Sequence, residues 1–169
     1  AGSSTFIFTE SIHGCKSFPS DSIDFLVKPI VSVTGLSVIC ENDSTHLSPS
    51  SGGTWTSSDN DIATVDSSGL VIGKSGGAAQ FIFTLSGSSC SSDPTSFINI
   101  NANPDISLLG SAILCLGQTA QMTPNTGGNW TSNQPLTASI DNSGLIQTLG
   151  LGTFKVIFTS STTGCKSDS

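Results

Sequence analysis

Displaced by 75 positions, the sequence aligns with itself almost throughout and without a gap. A fixed period of this length constrains a fold more than any local propensity, because each copy must be a repeating structural unit that packs on its neighbours. Pro29 falls on Pro104, Cys40 on Cys115, Pro49 on Pro124, Asp66 on Asp141 and Cys90 on Cys165. The run Gly52-Gly53-Thr54-Trp55-Thr56-Ser57 falls on Gly127-Gly128-Asn129-Trp130-Thr131-Ser132, and Ile82-Phe83-Thr84 on Ile157-Phe158-Thr159. Of the 66 pairs between 29–94 and 104–169, 23 are identical. The opening Phe6-Ile7-Phe8-Thr9 keeps the same offset to Phe81-Ile82-Phe83-Thr84, as does Cys15 to Cys90.

The register divides the chain. Residues 1–28 correspond to 76–103 and read as the C-terminal strands of a truncated preceding repeat. Residues 29–103 make one complete repeat, and 104–169 a repeat lacking its last strand, the counterpart of 96–103. The expectation is a window on a longer tandem array.

Within 29–103 apolar residues alternate with period two and no helical stripe appears, so each unit reads as all-β. Ile30–Val33 and Leu36–Ile39 read as two halves of a first strand broken at Gly35, followed by Ser44–Leu47 and Thr54–Thr56. Ile62–Val65 and Leu70–Ile72 flank Asp66-Ser67-Ser68-Gly69, which fits a type I turn closed by a left-handed glycine with Asp66 capping it. Gln80–Leu85 and Ser96–Ile100 complete the set. Short strands with turns every 8–12 residues describe a β-sandwich. With 32 Ser and 19 Thr the chain is rich in hydroxyls suited to outward strand faces. Trp55, Val65, Leu70, Phe81 and Phe83 are the expected core, with strand alternation able to exclude one of them; Trp130 repeats Trp55.

Composition excludes several functions. Twelve acids, five lysines and no arginine give a net charge of −7, the opposite of a nucleic-acid surface. No apolar run approaches the 18 or more residues of a membrane span, so no direct membrane insertion is expected of this segment. The two histidines, His13 and His46, become Ser88 and Gln121 one repeat later, so no site built on them recurs with the unit. No catalytic residue, metal ligand or cofactor is expected, and the chain reads as a non-enzyme. Asp59-Asn60-Asp61 could offer oxygen ligands to a cation, but its counterpart Gln134-Pro135-Leu136 carries no acid, which favours a polar loop. Trp55 and Trp130 could be carbohydrate platforms, but their mid-strand position after Gly-Gly suits a sandwich core.

Gly53-Thr54-Trp55-Thr56-Ser57-Ser58-Asp59, then Ile62-Ala63-Thr64-Val65-Asp66-Ser67-Ser68-Gly69-Leu70-Val71, then Gly77 and an apolar strand, resembles the bacterial Ig-like domain of group 2. The second copy departs at Asn133–Leu136 but keeps Trp130, Asp141, Gly144 and Leu145. The resemblance implies tandem Ig-like β-sandwiches in an elongated array. The cysteines near the first turn and in His13-Gly14-Cys15 and Thr163-Gly164-Cys165 resemble versions found in giant Bacteroidetes surface adhesins of the gliding-motility, SprB-like type. That likeness implies a long filament at the cell surface, anchored in the outer membrane through regions outside this segment. It also implies O-glycosylation at Asp-Ser patterns, with Ser22 and Ser44 as candidates. Asn42-Asp43-Ser44 and Asn129-Trp130-Thr131 fit the N-linked sequon, which a bacterial setting disfavours.

Cysteines 15, 40, 90, 115 and 165 include no Cys-x-x-Cys pair, which argues against zinc. Two per unit in a small Ser/Thr-rich domain suggest disulfides outside the cytosol, with buried free thiols as the alternative. Spacing alone offers Cys40–Cys90 and Cys115–Cys165. Strand direction argues otherwise: Cys40 ends the first strand at the trailing end of its unit, whereas Cys90 precedes the last strand at the leading end. Seven to ten residues of strand hold those ends about 25–30 Å apart, against the roughly 7 Å a disulfide tolerates between Cα atoms. The expected bond is therefore Cys40–Cys165, between successive domains, with Cys15, Cys90 and Cys115 finding partners outside the window. Short linkers containing Pro29 and Pro104 restrict the backbone, so successive units should stack end to end.

The reading that unites these features is the stalk or filament of an extracellular cell-surface adhesin, serving surface attachment and gliding motility, its partners being neighbouring repeats of the same chain. Its surface or polysaccharide ligand is not specified. A carbohydrate- or receptor-binding Ig-like module, or accessory domains of a secreted hydrolase, are the alternatives.

Overall fold

A computed structural model describes residues 2–168, and among these it contains strands and no helix. Strands β1 (Gly2–Ser4) and β2 (Ile23–Phe25) come first. Residues 29–103 hold β3 (Ser32–Val33), β4 (Val38–Cys40), β5 (Ser44–Ser48), β6 (Gly53–Ser57), β7 (Ala63–Val65), β8 (Leu70–Gly73), β9 (Gly77–Ala79), β10 (Phe81–Leu85) and β11 (Ile98–Asn101). Residues 104–168 hold β12 (Ser107–Leu109), β13 (Thr119–Thr123), β14 (Gly128–Ser132), β15 (Ala138–Ile140), β16 (Leu145–Thr148) and β17 (Val156–Ser160).

In the complete repeat, the sheet β3-β5-β8-β7 faces β6–β10 and the three-stranded β4-β11-β9. One buried cluster joins the layers: Leu47, Ala63 and Val71 from the first, with Trp55, Phe81, Phe83, Ile39, Ala79, Ile98 and Ile100 from the second. Several strands bury alternate residues, as Thr45 and Leu47 do in β5 and Phe81 and Phe83 in β10, so one face supplies core and the other is more open to solvent. A second cluster, centred on Met122, Trp130, Ile146 and Phe158, repeats this within 104–168. The chain is all-β with β-sandwich architecture.

Three local devices recur with the period. Asp66 Oδ1 accepts hydrogen bonds from the Ser68 amide (2.8 Å), the Ser68 hydroxyl (2.7 Å) and the Leu70 amide (2.9 Å); Asp141 does the same with Ser143 and Leu145. Gly53 and Gly128 leave room for the rings of Phe83 and Phe158, which occupy the space a Cβ would need. Trp55 Nε1 donates to the Pro49 carbonyl (2.9 Å) and Trp130 Nε1 to that of Pro124 (3.0 Å).

The strand reading needs three corrections. Leu70 is only half-buried, and Val71 takes the core position. The hydrogen-bonded Asp66–Leu70 turn sets the phase of β8, with Val65 opposite Val71. The two halves of the expected first strand belong to different layers: β3 pairs with β5, whereas β4 pairs in parallel with β11. The switch occurs at Gly35, where Thr45 Oγ1 fills the place of a side chain while donating to the Leu36 carbonyl at 2.8 Å. Finally, Gly77–Ala79 forms β9, a strand that its small residues conceal from pattern reading.

Candidate functional site at the repeat junction

The end of β4 and β11 receives a turn from residues 104–168. Cys40 closes β4, opposite Asn101 in the parallel pair, so both residues stand at one end of the 29–103 sandwich. Glu41 then ties the outgoing linker to that end. Its carboxylate accepts from the Asn103 amide (3.1 Å) and the Gly76 amide (3.1 Å), while its own amide donates to the Asn101 carbonyl (3.0 Å).

From the other side comes the loop after β17. The Ser160 amide donates to the Cys165 carbonyl (2.9 Å), and Thr159 bridges Lys166. This turn presents Cys165, 1% exposed, to the end of the preceding sandwich. Cys40 and Cys165 are disulfide-bonded with Cα atoms 5.6 Å apart across 125 residues of sequence. The expected bond is present, and it joins one residue of 29–103 to one of 104–168.

The other cysteines are thiols: Cys15 and Cys115 are exposed and Cys90 is half-buried. Their surroundings copy those of the bonded pair. The Leu85 amide donates to the Cys90 carbonyl (3.0 Å) and the Glu10 amide to the Cys15 carbonyl (2.8 Å), as at Cys165. The Gln118 amide donates to the Cys115 carbonyl (3.1 Å), as the Asp43 amide does to Cys40 (3.1 Å).

The remaining residues singled out from the sequence lie apart from this junction or on its surface. Trp55 and Trp130 are buried, each against a phenylalanine, so neither ring presents a face to solvent. His13 is exposed beside Glu10, and His46 points outward from β5. Asp59 Oδ1 accepts from the Asp61 amide (2.9 Å), turning the acidic loop upon itself, and no cluster of three metal-ligating side chains occurs among the described residues. Ser22 and Ser44 are both exposed.

Sequence reading missed a set of buried hydroxyls. Ser92 Oγ accepts from the Phe83 amide (3.0 Å) and Thr95 Oγ1 from the Phe81 amide (3.1 Å), extending the β10 edge without a regular strand. Ser17 and Ser167 repeat the first contact with Phe8 and Phe158. The constant nine-residue offset from phenylalanine to serine was the available signal.

Comparison with known proteins gives a match to one domain family over part of the chain. Residues 42–88 match the family model of the bacterial Ig-like domain, group 2. That is a domain family and not an enzyme family. No curated protein matches the chain. Among solved structures it is similar to a C-terminal 282-residue fragment of intimin, solved in complex with the intimin-binding domain of the translocated intimin receptor. The identity is 14% and the TM-score 0.37, covering 75% of this chain and 50% of that one. It is also similar to domains 4 and 5 of the S-layer protein SbsC, at 14% identity and a TM-score of 0.34, covering 82% of this chain and 96% of that one.

Proposed function

We propose that this chain is a stapled segment of tandem Ig-like units in the stalk of an extracellular cell-surface adhesin, serving surface attachment and gliding motility. Each unit acts as a spacer. The observation that carries the reading is the Cys40–Cys165 bond, which crosses a repeat junction instead of closing a single core. The recurrence of both cysteine turns extends it: Cys115 pairs with the following unit, and Cys90 and Cys15 with preceding ones, so every junction is stapled alike. Residues 1–28, 29–103 and 104–169 are then successive units, anchored at the outer membrane through other regions. The disulfide supports a location outside the reducing cytosol. The exposed Ser22 and Ser44 are the candidate O-glycan acceptors.

A stalk under tension benefits because the staple removes chain from the extensible path. Pulling the oxidised 169-residue chain from its ends should release none of the chain between Cys40 and Cys165, which stand 125 positions apart. After reduction, unfolding should add about 400–450 Å of contour length at ~3.3–3.6 Å per residue. Equal extensions before and after reduction would reject the load-bearing staple. A specific, saturable glycan or receptor affinity in the oxidised chain would instead favour the binding-module alternative.

A further inference from the structure

The two sulfurs of the staple stand in unequal surroundings. Cys40 closes β4, an outer strand of the sheet β4-β11-β9 with no strand along its other edge among the described residues. It is half-buried there. Cys165 is 1% exposed, one of the largest fully buried side chains. Its turn holds it inward: the Cys165 amide donates to Thr163 Oγ1 (3.2 Å), and the Ser160 amide to the Cys165 carbonyl. The Asn101 carbonyl oxygen stands 4.0 Å from Cys165 Sγ and covers it from the side of β11.

Two openings border the bond. One, of about 410 Å³, lies between the turn Glu41-Asn42-Asp43 and residues 164–168, and both cysteines line it. The other, of about 450 Å³, runs along Leu36, Val38, Ser44 and Thr163; Cys40 lines it and Cys165 does not. Cys40 is thus approached from two sides along an open strand edge, whereas Cys165 lies behind its own turn and the Asn101 carbonyl.

We propose that Cys40 is the site at which a small thiol opens the staple, forming a mixed disulfide there, and that Cys165 is the leaving sulfur. The thiolate is the attacking species, and the rate of exchange depends on which sulfur is attacked and on access to it. In the first step a new S–S bond forms between the thiol and Cys40 Sγ while the Cys40–Cys165 bond breaks. Its electron pair leaves on Cys165 Sγ, which takes a proton from water. A second thiolate then attacks the sulfur of the first thiol, releasing a small disulfide and the Cys40 thiol. The small thiol is the reductant throughout. The adduct therefore stays with the 29–103 unit, and the 104–168 unit carries away only a thiol. The inference rests on the burial of the two sulfurs and is independent of the adhesin reading.

Cysteamine is the probe, since its ammonium suits an opening that carries Glu41, Asp43 and Asp168 with Lys166. The thiols of Cys15, Cys90 and Cys115 are first blocked with N-ethylmaleimide. The oxidised 169-residue chain then meets cysteamine and is quenched in acid while most of the staple is still closed. Newly freed thiols are labelled with deuterated N-ethylmaleimide, and peptide masses locate both groups. The folded chain should carry cysteamine on Cys40 and the deuterated label on Cys165, with the reverse arrangement roughly tenfold rarer or less. In denaturing urea, where both sulfurs meet solvent, the two arrangements should come within about threefold of each other. Equal abundance in the folded chain, an excess of adducts on Cys165, or an undiminished Cys40 preference in urea overturns the assignment. None of these results bears on the stalk reading, which the pulling experiment decides separately.

Discussion

The indole of Trp55 and the ring of Phe83 meet with centroids 5.1 Å apart and planes tilted by 57°, and Trp130 and Phe158 repeat the pair at 5.1 Å and 59°. Each tryptophan is thus the centre of one core and the fluorescent reporter of that core alone. The two units can be perturbed separately and observed separately.

Phe83→Ala removes a fully buried ring from the 29–103 core. A cost of about 3–5 kcal/mol is expected. In urea titrations only the Trp55 part of the fluorescence change should move to lower denaturant, leaving the Trp130 transition in place. A single shifted transition would show that the two cores unfold as one.

Ser92→Ala leaves the buried Phe83 amide without its acceptor. An unsatisfied buried donor costs about 1–3 kcal/mol. Ser96→Ala, at an exposed position, should stay within about 0.5 kcal/mol. Comparable denaturation midpoints for the two variants would remove the hydroxyl ladder from the account of stability.

Gly53→Ala directs a methyl group at the Thr84 carbonyl and the Phe83 ring. Overpacking of this kind costs about 1–3 kcal/mol, because β6 must move away from β10. Hydrogen exchange should rise selectively in the Gly53–Ser57 and Phe81–Leu85 amides. Unchanged protection there would contradict the close-approach explanation of the repeated Gly-Gly pair.

The Asp66 carboxyl is held below its ordinary range first by the Ser68 hydroxyl and then by the Leu70 amide; Asp141 is lowered by Ser143 and then Leu145. A depressed folded-state value means that the folded chain binds fewer protons than the unfolded one. The contribution is therefore complete above the unfolded value of about 3.9 and is lost as pH falls through the folded values. The urea midpoint should decline below about pH 4, and the double variant Asp66→Asn, Asp141→Asn should decline less steeply. Parallel curves would exclude these two turns as the origin.

Much of the junction was legible because it depends on direction along strands. A cysteine closing the first strand and another preceding the last must lie at opposite ends of one unit, so only the neighbouring unit brings partners together. The Asp66 and Asp141 turns were legible for a different reason: Asp, Ser and Gly interact there within five residues. Ser92 and Thr95 are hard to single out among the chain's many hydroxyls, and only the recurring nine-residue offset from phenylalanine sets Ser92 apart.

The period, the alternating strands, the capped turns and the tryptophan-centred core are all readable along the chain, since each follows from residues close together or from exact recurrence. Which strands share a layer depends on long-range pairing. Splitting the first strand at Gly35, recruiting Gly77–Ala79 as a strand and setting β4 parallel to β11 all depend on pairings between residues far apart. Main-chain hydrogen bonds are nearly indifferent to side-chain identity. Which backbone edge finds which partner is therefore settled by how the two layers close over one core, a choice that no local pattern records.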